Sequence, residues 1–386
     1  MTRRSRNPPR AKLLLILFCA GQFAFAKDLL NPDLNIKSEP FGTTRDGQPV
    51  ELWTMKNSRG TRAKVMTYGA TIYALEVADR NGVVTNLTAN CATLADYERG
   101  TPCFGALLGR YANRIAGAQF KIDDRLYEVT HNAGNNHIHG GQRGFDKQVW
   151  KAEPIRGTSD VALKLSYTAK DGEEGYPGNL QCTVVYKLSD DNTWTMDYTA
   201  TTEKPTVVNL SNHAYWNLAG AYSGNVLNQQ LTLNADRYLP ADKELIPTGE
   251  IAPVESTPLD FRQPHAVGER IEQIKEKQFN GGYDHCFVIR RQSPEELAFC
   301  ARLVDPTSGR VMEVFTTQPG VQIYTANFPG GAFQGPGGYK YPRNLGICFE
   351  AQHFPDSPNK PNFPPTLLKP GETYRSITVH KFSLAK

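Results

Sequence analysis

The sequence predicts an all-β fold, and two features of the chain support this prediction. Alternation of apolar and polar residues recurs, most clearly over residues 163–167, 182–186 and 194–198, and this period is typical of strands that bury one face of a sheet. The segments between such stretches are rich in turn-forming Gly, Pro, Asn and Asp, as in residues 171–172 and 176–179. An all-β sandwich or barrel is therefore favoured over an α/β fold.

Helix is expected to be scarce and the domain undivided. The best helical candidates are short, Leu94–Arg99 and residues 271–278. The chain contains no internal repeat and no linker that would split it, and its Pro-rich residues 355–370 are expected to form a long ordered loop before the last strand. A chain of 386 residues can bury a large core. We therefore expect a single domain over residues 27–386.

The N-terminus has the pattern of a secretory signal peptide. Five basic residues lie within residues 2–12, an almost wholly apolar run spans residues 13–20, and Ala24-Phe25-Ala26 places small residues where a signal peptidase reads them. The apolar run is too short for a membrane anchor, which needs about 20 residues. The sequence thus predicts a signal peptide over residues 1–26, cleavage before Lys27, and export to the periplasm or beyond the cell, with no membrane attachment afterwards.

Cleavage changes the charge of the protein. Without those five basic residues, 38 Lys and Arg face 39 Asp and Glu, a net charge of about −1. A nucleic-acid-binding protein would carry a clustered basic face, so no nucleic-acid partner is expected. Separately, the protein is predicted to be a monomer or a weak dimer.

Six cysteines remain after cleavage: Cys91, Cys103, Cys182, Cys286, Cys300 and Cys348. Cys286 and Cys300 lie almost symmetrically about the turn signal of residues 292–295. This spacing predicts a hairpin that would bring the two within disulfide reach. A pair of buried thiols is the alternative. No C-x-x-C pair is present, so a structural zinc site has little support.

Polar, titratable and Gly residues concentrate in five segments to a degree that sheet packing does not require. These segments are residues 109–115, 136–141, 209–217, 282–285 and 346–352. Three of them contain His, of which the chain has only eight. The sequence therefore marks these segments as candidates for a functional site.

Each segment also has a purely structural interpretation. Asn113 and Arg114 could form a turn or an ion pair, and Asp284 could hold a turn. Glu350 could be an edge-strand carboxylate, although it follows three apolar residues, and a buried carboxylate is costly without partners. Tyr215, taken alone, is more typical of a core.

Two further residue types in these segments suggest other roles. His137 and His139 have the H-x-H spacing of a cupin metal site, but no Glu follows within five residues, so no metal is predicted. Trp216 could offer an apolar face to a ligand, although core packing is favoured.

The order of the five segments resembles the aldose 1-epimerase family throughout the mature chain. The matching motifs are G-R-x-A-N-R-I at residues 109–115, H-G-G at 139–141 followed by G-F-D-K, N-L-S-N-H-A-Y-W-N-L at 209–218, and T-T-Q-P-G-V-Q-I-Y-T-A-N at 316–327. Departures are small, Ile138 before the His and Ala351 after the Glu, and neither touches the chemistry.

The resemblance implies a fold, a function and a set of site residues. The implied fold is a large antiparallel β-supersandwich of the galactose mutarotase type with few short helices. The implied function is interconversion of the α and β anomers of free hexoses such as D-glucose and D-galactose, without cofactor or metal. Glu350 would act as general base and His213, at a pKa near 6.5, as general acid. The family's sugar-binding positions fall on Asn113, Arg114, His139, Tyr215, Asp284 and Gln322.

Two other functions are considered. A hexose-6-phosphate 1-epimerase would need an additional basic cluster for the phosphate. A non-catalytic carbohydrate-binding protein would not require a paired base and acid such as Glu350 and His213.

Overall fold

The computed structural model describes residues 1–2 and 34–385. The predicted signal peptide lies outside these residues except for its first two positions. Within the described residues, no helix is both long and apolar enough to cross a membrane.

The first part of the chain forms a five-stranded antiparallel sheet with its strands in sequence order. These strands are β1 (Asn35–Thr43), β2 (Pro49–Lys56), β3 (Arg62–Met66), β4 (Thr71–Ala78) and β5 (Val84–Asn86). The predicted helix follows as α1 (Leu94–Arg99). It begins with a reciprocal capping box, in which the Thr93 hydroxyl accepts the Asp96 amide and the Asp96 carboxylate accepts the Thr93 amide.

The remaining strands build two larger sheets and several two-stranded ladders. In chain order they are β6 (Leu107–Leu108), β7 (Arg114–Ile115), β8 (Gln119–Ile122), β9 (Arg125–Glu128), β10 (His137–Ile138), β11 (Lys151–Arg156), β12 (Asp160–Ala169), β13 (Leu180–Ser189), β14 (Thr193–Thr202), β15 (Thr206–Val207), β16 (Ser211–Asn212), β17 (Tyr215–Trp216), β18 (Gln230–Leu233), β19 (Arg237–Leu239), β20 (Ala252–Pro253), β21 (His265–Ala266), β22 (Asp284–Val288), β23 (Ala298–Val304), β24 (Arg310–Thr316), β25 (Gly320–Tyr324), β26 (Ile347–Gln352), β27 (Leu367–Leu368) and β28 (Tyr374–Leu384).

The two larger sheets are antiparallel throughout. The nine-stranded sheet has the order β11-β12-β13-β14-β28-β24-β23-β18-β21, and the six-stranded sheet has the order β17-β26-β25-β22-β19-β20. The three predicted alternating stretches fall inside β12, β13 and β14. The predicted all-β fold, a large antiparallel β-supersandwich with few short helices, is confirmed.

The core lies between the two larger sheets. Trp216, on β17 of the six-stranded sheet, packs against His380 and Phe382 on β28 of the nine-stranded sheet, at ring-centroid distances of 4.9 and 5.6 Å. All three side chains are buried, and each large apolar side chain buried in this way contributes about 1.5–3 kcal/mol. The core interpretation of Trp216 is therefore confirmed.

The second helical prediction is only partly met. Residues 271–278 contain two separate 3₁₀ turns, Ile271–Gln273 and Lys277–Phe279, and the backbone is extended at Ile274 and Glu276 between them. Ile271, Ile274 and Phe279 are all buried. The segment thus attaches to the core at separate points instead of along one helical face. Residues 355–370 form the expected loop, with a 3₁₀ turn at Ser357–Asn359 and the short strand β27.

The predicted disulfide between Cys286 and Cys300 is wrong. Cys286 lies on β22, which pairs with β19 and β25 in the six-stranded sheet. Cys300 lies in β23, which pairs with β18 and β24 in the nine-stranded sheet. The chain between them crosses from one sheet to the other, so no hairpin forms, and both cysteines are buried free thiols.

Candidate active site

Glu350 lies on β26, a central strand of the six-stranded sheet. All six residues of this strand are buried. Ile347 and Phe349 join the core between the sheets, so Cys348 and Glu350 point to the opposite face because side chains alternate along a strand. Loops cover that face, so it forms the floor of a cavity instead of a solvent-exposed surface.

Asp284 and Gln322 share this floor. Gln322 on β25 lies opposite Glu350 in the register of the ladder, and its Nε2 donates a hydrogen bond of 2.6 Å to Oδ1 of Asp284. Burial raises the pKa of Asp284, while the charge of Arg114 and the Gln322 hydrogen bond oppose this rise. Gln322 therefore acts on the cavity through Asp284.

His213 lies on the loop between β16 and β17, and its ring lies above the cavity floor. Its amide donates to the carbonyl of Ala106 at 2.9 Å, and its ring stacks on Tyr215 with a centroid distance of 4.9 Å and an interplanar angle of 13°. The hydroxyl of Tyr215 in turn donates to the carbonyl of Pro102 at 3.0 Å. Tyr215, predicted to bind the substrate, thus also supports the His213 ring.

The predicted acid and base face each other. Nε2 of His213 lies 3.6 Å from Oε1 of Glu350, and both side chains are almost fully buried. Oε2 of Glu350 has no hydrogen-bond partner among the described residues. The separation of 3.6 Å is longer than a hydrogen bond, so the two groups are close without being hydrogen-bonded, and the carboxyl group of Glu350 keeps its capacity to bind a ligand.

Burial sets the protonation of this pair. It raises the pKa of Glu350 well above the usual value, Asp284 raises it further, and Arg114 lowers it. Burial also lowers the pKa of His213 to about 4, with a smaller opposing effect of its own backbone. The expectation that His213 has a pKa near 6.5 is thus corrected: desolvation disfavours both charged forms, so burial favours a neutral Glu350 and a neutral His213.

Asn113 and His139 are joined by two hydrogen bonds. The amide of His139 donates to the carbonyl of Asn113, and the amide of Asn113 donates to Nδ1 of His139, both at 3.1 Å. Since Nδ1 accepts a hydrogen, the neutral His139 ring carries its own proton on Nε2. Burial lowers the pKa of His139 well below its usual value, so the ring is a neutral N–H donor.

The glycine after His139 is required by a close approach of two backbones. A Cβ on Gly140 would lie 1.8 Å from the carbonyl oxygen of Gly109, and Gly140 has a φ of +87°. The H-G-G motif thus lets the His139 loop lie directly on the segment that carries Asn113 and Arg114.

His139, His213 and Glu350 each offer a potential metal-ligand atom, and these atoms lie within 4.8 Å of one another. However, a metal-bound His normally donates its second ring N–H to an acceptor. Nδ1 of His139 instead accepts a backbone N–H, so coordination through Nε2 would set two N–H groups against each other. The residues do not fit a metal and suit a hydroxyl group better.

His137 does not join His139. Its Nδ1 lies 2.7 Å from the carbonyl of Thr130 and its Nε2 lies 2.7 Å from the hydroxyl of Tyr176. The strand β10 ends at Ile138, and His139 has a φ of +52°. The chain therefore turns before the two imidazoles can share one face, and the H-x-H pattern is structural.

These groups surround one cavity of about 210 Å³. Its lining comprises Pro102, Cys103, Asn113, Arg114, Ile138, His139, His213, Tyr215, Asp284, Tyr324 and Glu350. Every predicted site residue lines it except Gln322, whose side chain donates a hydrogen bond to the lining residue Asp284.

Sequence reasoning missed part of this lining. Tyr324 was detectable, because it lies two positions after Gln322 on the same strand face. Pro102 and Cys103 carry no such signal, since they lie in a loop in which Cys103 adopts a φ of +58°. Cys348 was also missed, although its Sγ lies 3.4 Å from Nδ1 of His213.

A larger cavity of about 820 Å³ contains Arg291 and Thr317 but none of the predicted site residues. The Arg291 guanidinium already donates hydrogen bonds to backbone carbonyls, among them those of Ser293 and Thr317 at 2.9 Å. The smaller cavity therefore holds the chemically competent groups.

Comparison with known proteins identifies the family of the chain. The family model described as aldose 1-epimerase matches residues 51–381. The chain is 44% identical to the galactose mutarotase of Sus scrofa, over 91% of this chain and 100% of that protein. It is 35% identical to the aldose 1-epimerase of Escherichia coli K12, over 87% of this chain and 96% of that protein.

Solved structures show the same fold. The galactose 1-epimerase of Lactobacillus acidophilus superposes with a TM-score of 0.80 at 27% identity, covering 92% of this chain and 100% of its own. An aldose epimerase homologue from C. elegans superposes with a TM-score of 0.79 at 28% identity, covering 91% of this chain and 100% of its own. With its fold, its cavity and its sequence all in agreement, the chain belongs to the aldose 1-epimerase family.

Proposed function

We propose that this protein is an aldose 1-epimerase that interconverts the α and β anomers of free hexoses such as D-glucose and D-galactose. One observation carries the proposal: a buried imidazole and a buried carboxylate face each other at 3.6 Å in a small polar cavity. The relatives named galactose mutarotase and aldose 1-epimerase support the same reaction.

The reaction needs a base and an acid that act together. Opening the pyranose requires removal of the proton from the anomeric hydroxyl and delivery of a proton to the ring oxygen. Glu350 takes the first proton and His213 supplies the second, and each positioned group contributes about 10²–10⁴-fold. Rotation about the C1–C2 bond of the open sugar and reversal of both transfers then close the other anomer.

The pair can reach this working form without exchanging protons with solvent. Neutral Glu350 and neutral His213 together hold as many protons as the carboxylate and imidazolium. Moving one proton between them costs desolvation, but opposite charges about 4 Å apart attract by about 4 kcal/mol at an effective dielectric constant of 20. Arg114 also favours the ionised Glu350. Both effects assist proton transfer once a sugar occupies the cavity.

The other lining groups provide a grip for hydroxyl groups. His139 offers a neutral N–H donor, and the buried Asp284 offers a carboxyl group held by Gln322. Arg114 makes no ion pair within 4.0 Å among the described residues, so its donors remain available. Donors and acceptors fixed in this way suit a polyol.

A phosphorylated sugar fits the cavity less well. Arg114 is the sole lysine or arginine among the described residues that line it, and two carboxyl groups, Asp284 and Glu350, lie beside it. A phosphate group would find only this one positive charge in the cavity, with two acidic groups next to it. The cavity therefore favours a free hexose over a hexose 6-phosphate.

Polarimetry tests the proposed function. Addition of the purified protein to freshly dissolved α-D-galactose or α-D-glucose should accelerate the approach to anomeric equilibrium, while glucose 6-phosphate should respond much less. The His213→Asn variant serves as the matched control for bulk effects of protein. A protein that binds either sugar but leaves its mutarotation at the spontaneous rate would be a carbohydrate-binding protein, and the proposal would fail.

Export and assembly remain predictions from the sequence. The basic, apolar and small-residue segments of residues 1–26 support an exported enzyme, cleaved before Lys27, whose single domain over residues 27–386 acts as a monomer or weak dimer. N-terminal sequencing of the exported protein should begin near Lys27, and finding residues 2–26 still attached would contradict cleavage.

A further inference from the structure

One buried cysteine contacts the proposed acid. Cys348 is completely buried, and its Sγ lies 3.4 Å from Nδ1 of His213. It sits on β26 two positions before Glu350, and it pairs across the ladder with Tyr215, on whose ring His213 stacks. A single short stretch of strand thus carries the proposed base and a contact to the proposed acid.

The stacking contact alone does not determine which ring nitrogen faces Glu350. A rotation of 180° about the Cβ–Cγ bond leaves the imidazole plane unchanged, so the ring could still stack on Tyr215. The same rotation would replace Nδ1 by carbon at the sulfur and would turn Nε2 away from Glu350. The contact with Cys348 distinguishes the two orientations.

We propose that Cys348 is a positioning residue that holds His213 with Nε2 facing Glu350 and the substrate. This inference rests on the proposed function and adds a residue to its machinery. In the empty site Nδ1–H donates to the sulfur, so the lone pair of Nε2 faces Glu350 and can take up the proton of that carboxyl group. After the resulting imidazolium has passed its Nε2 proton to the ring oxygen, Nδ1–H remains and still donates to the sulfur, which can accept it.

A thiol is a weak hydrogen-bond partner for His213, and this weakness favours the reaction. Burial, with Glu350 and Asp284 nearby, raises the pKa of Cys348 well above the usual value, so the group stays a neutral thiol. A carboxylate at this position would stabilise the imidazolium, as it does in Ser-His-Asp triads. The thiol fixes the ring orientation without that effect, so His213 remains a strong acid that releases its proton readily.

Three variants test this role. Cys348→Ala removes the contact, so kcat for galactose mutarotation should fall about 10-fold, less than the ~10²-fold that a misplacement of about 1 Å can cause. KM should change less than about 2-fold, because the gripping residues remain. Cys348→Ser retains a donor and acceptor and should recover most of kcat. Cys182→Ala removes another buried thiol, on β13 of the nine-stranded sheet, and should leave kcat unchanged.

NMR of the resting protein with ¹⁵N-labelled histidine provides a readout that a packing defect would not mimic. The Nδ1 and Nε2 shifts of His213 should report the Nδ1–H tautomer in wild type and in Cys182→Ala. In Cys348→Ala, the Nδ1 shift should move and the tautomers should mix.

The possible outcomes are distinct. Wild-type kcat together with an unchanged Nδ1 shift in Cys348→Ala would overturn the positioning role. If wild type itself does not accelerate mutarotation, the proposed function fails, while the tautomer measurement still decides the contact. If Cys348→Ala does not fold, Cys348→Ser decides. A serine variant with wild-type kcat and the Nδ1–H tautomer supports the role, whereas a mixture of tautomers with wild-type kcat contradicts it.

Discussion

The nine-stranded and six-stranded sheets use their outer faces differently. On β13, every second residue from Leu180 to Leu188 is buried, and most residues between them are partly exposed. On β26 of the six-stranded sheet, all six residues are buried, including Glu350 and Gln352. The nine-stranded sheet has one face exposed to solvent. Around the site, the six-stranded sheet is covered on one face by the core between the sheets and on the other face by loops.

This difference separates stability from chemistry. A half-exposed strand needs only an apolar inner face, so β13 and β14 contribute to the fold through residues such as Trp194 and Tyr186. A strand buried on both faces can shield a carboxylate from water, and this shielding shifts its pKa. The six-stranded sheet therefore carries a destabilising group that the proposed mechanism requires.

The largest expected effect concerns the nine-stranded sheet. Trp194 is completely buried, with its ring centroid 5.3 Å from that of Tyr186. Trp194→Ala should lower the free energy of unfolding by about 3–5 kcal/mol because it leaves a cavity, while kcat of the folded fraction stays at the wild-type value. Denaturant titration and polarimetry on the same samples measure both quantities. A large loss of kcat in folded protein would show that the two sheets do not divide these tasks.

The next effect concerns the six-stranded sheet, where the substitution should lower kcat instead of the free energy of unfolding. Glu350→Gln retains the shape of the side chain but removes the base, so kcat should fall by roughly 10²-fold or more. KM should change little, because the lost interaction belongs to the transition state. Adding His213→Asn should make the enzyme little slower than the slower single variant, since both groups serve one coupled transfer. A folded Glu350→Gln protein with wild-type kcat would remove Glu350 from the mechanism.

The smallest effect sharpens the comparison through pH. The pKa of Glu350 is raised in the folded protein, so between the unfolded and folded pKa values the native state binds more protons and stability falls as pH rises. Gln does not titrate. From about pH 4.5, the usual value of a Glu, Glu350→Gln should therefore gain stability relative to wild type, by about 1.4 kcal/mol for each pH unit up to the folded-state pKa. Unfolding midpoints across this range provide the measurement, and parallel curves for the two proteins would contradict the cost of burying Glu350.

Much of the fold follows from local patterns in the sequence. Alternation located β12, β13 and β14, and the short helical candidate Leu94–Arg99 coincides with α1. The five polar segments, through their resemblance to the aldose 1-epimerase family, identified most of the residues that line the cavity. Such features are readable because they depend on neighbours in sequence, or on motifs that retain their order along the chain.

The sequence by itself therefore determined the fold class and most of the residues that line the candidate site. Tertiary structure alone decided which of two sheets receives each strand, and for this reason Cys286 and Cys300 lie apart. It also decided the pKa shifts of Glu350 and His213 and the contact of Cys348 with Nδ1. Desolvation and contacts between distant segments depend on everything packed around a group, and no local pattern encodes that environment.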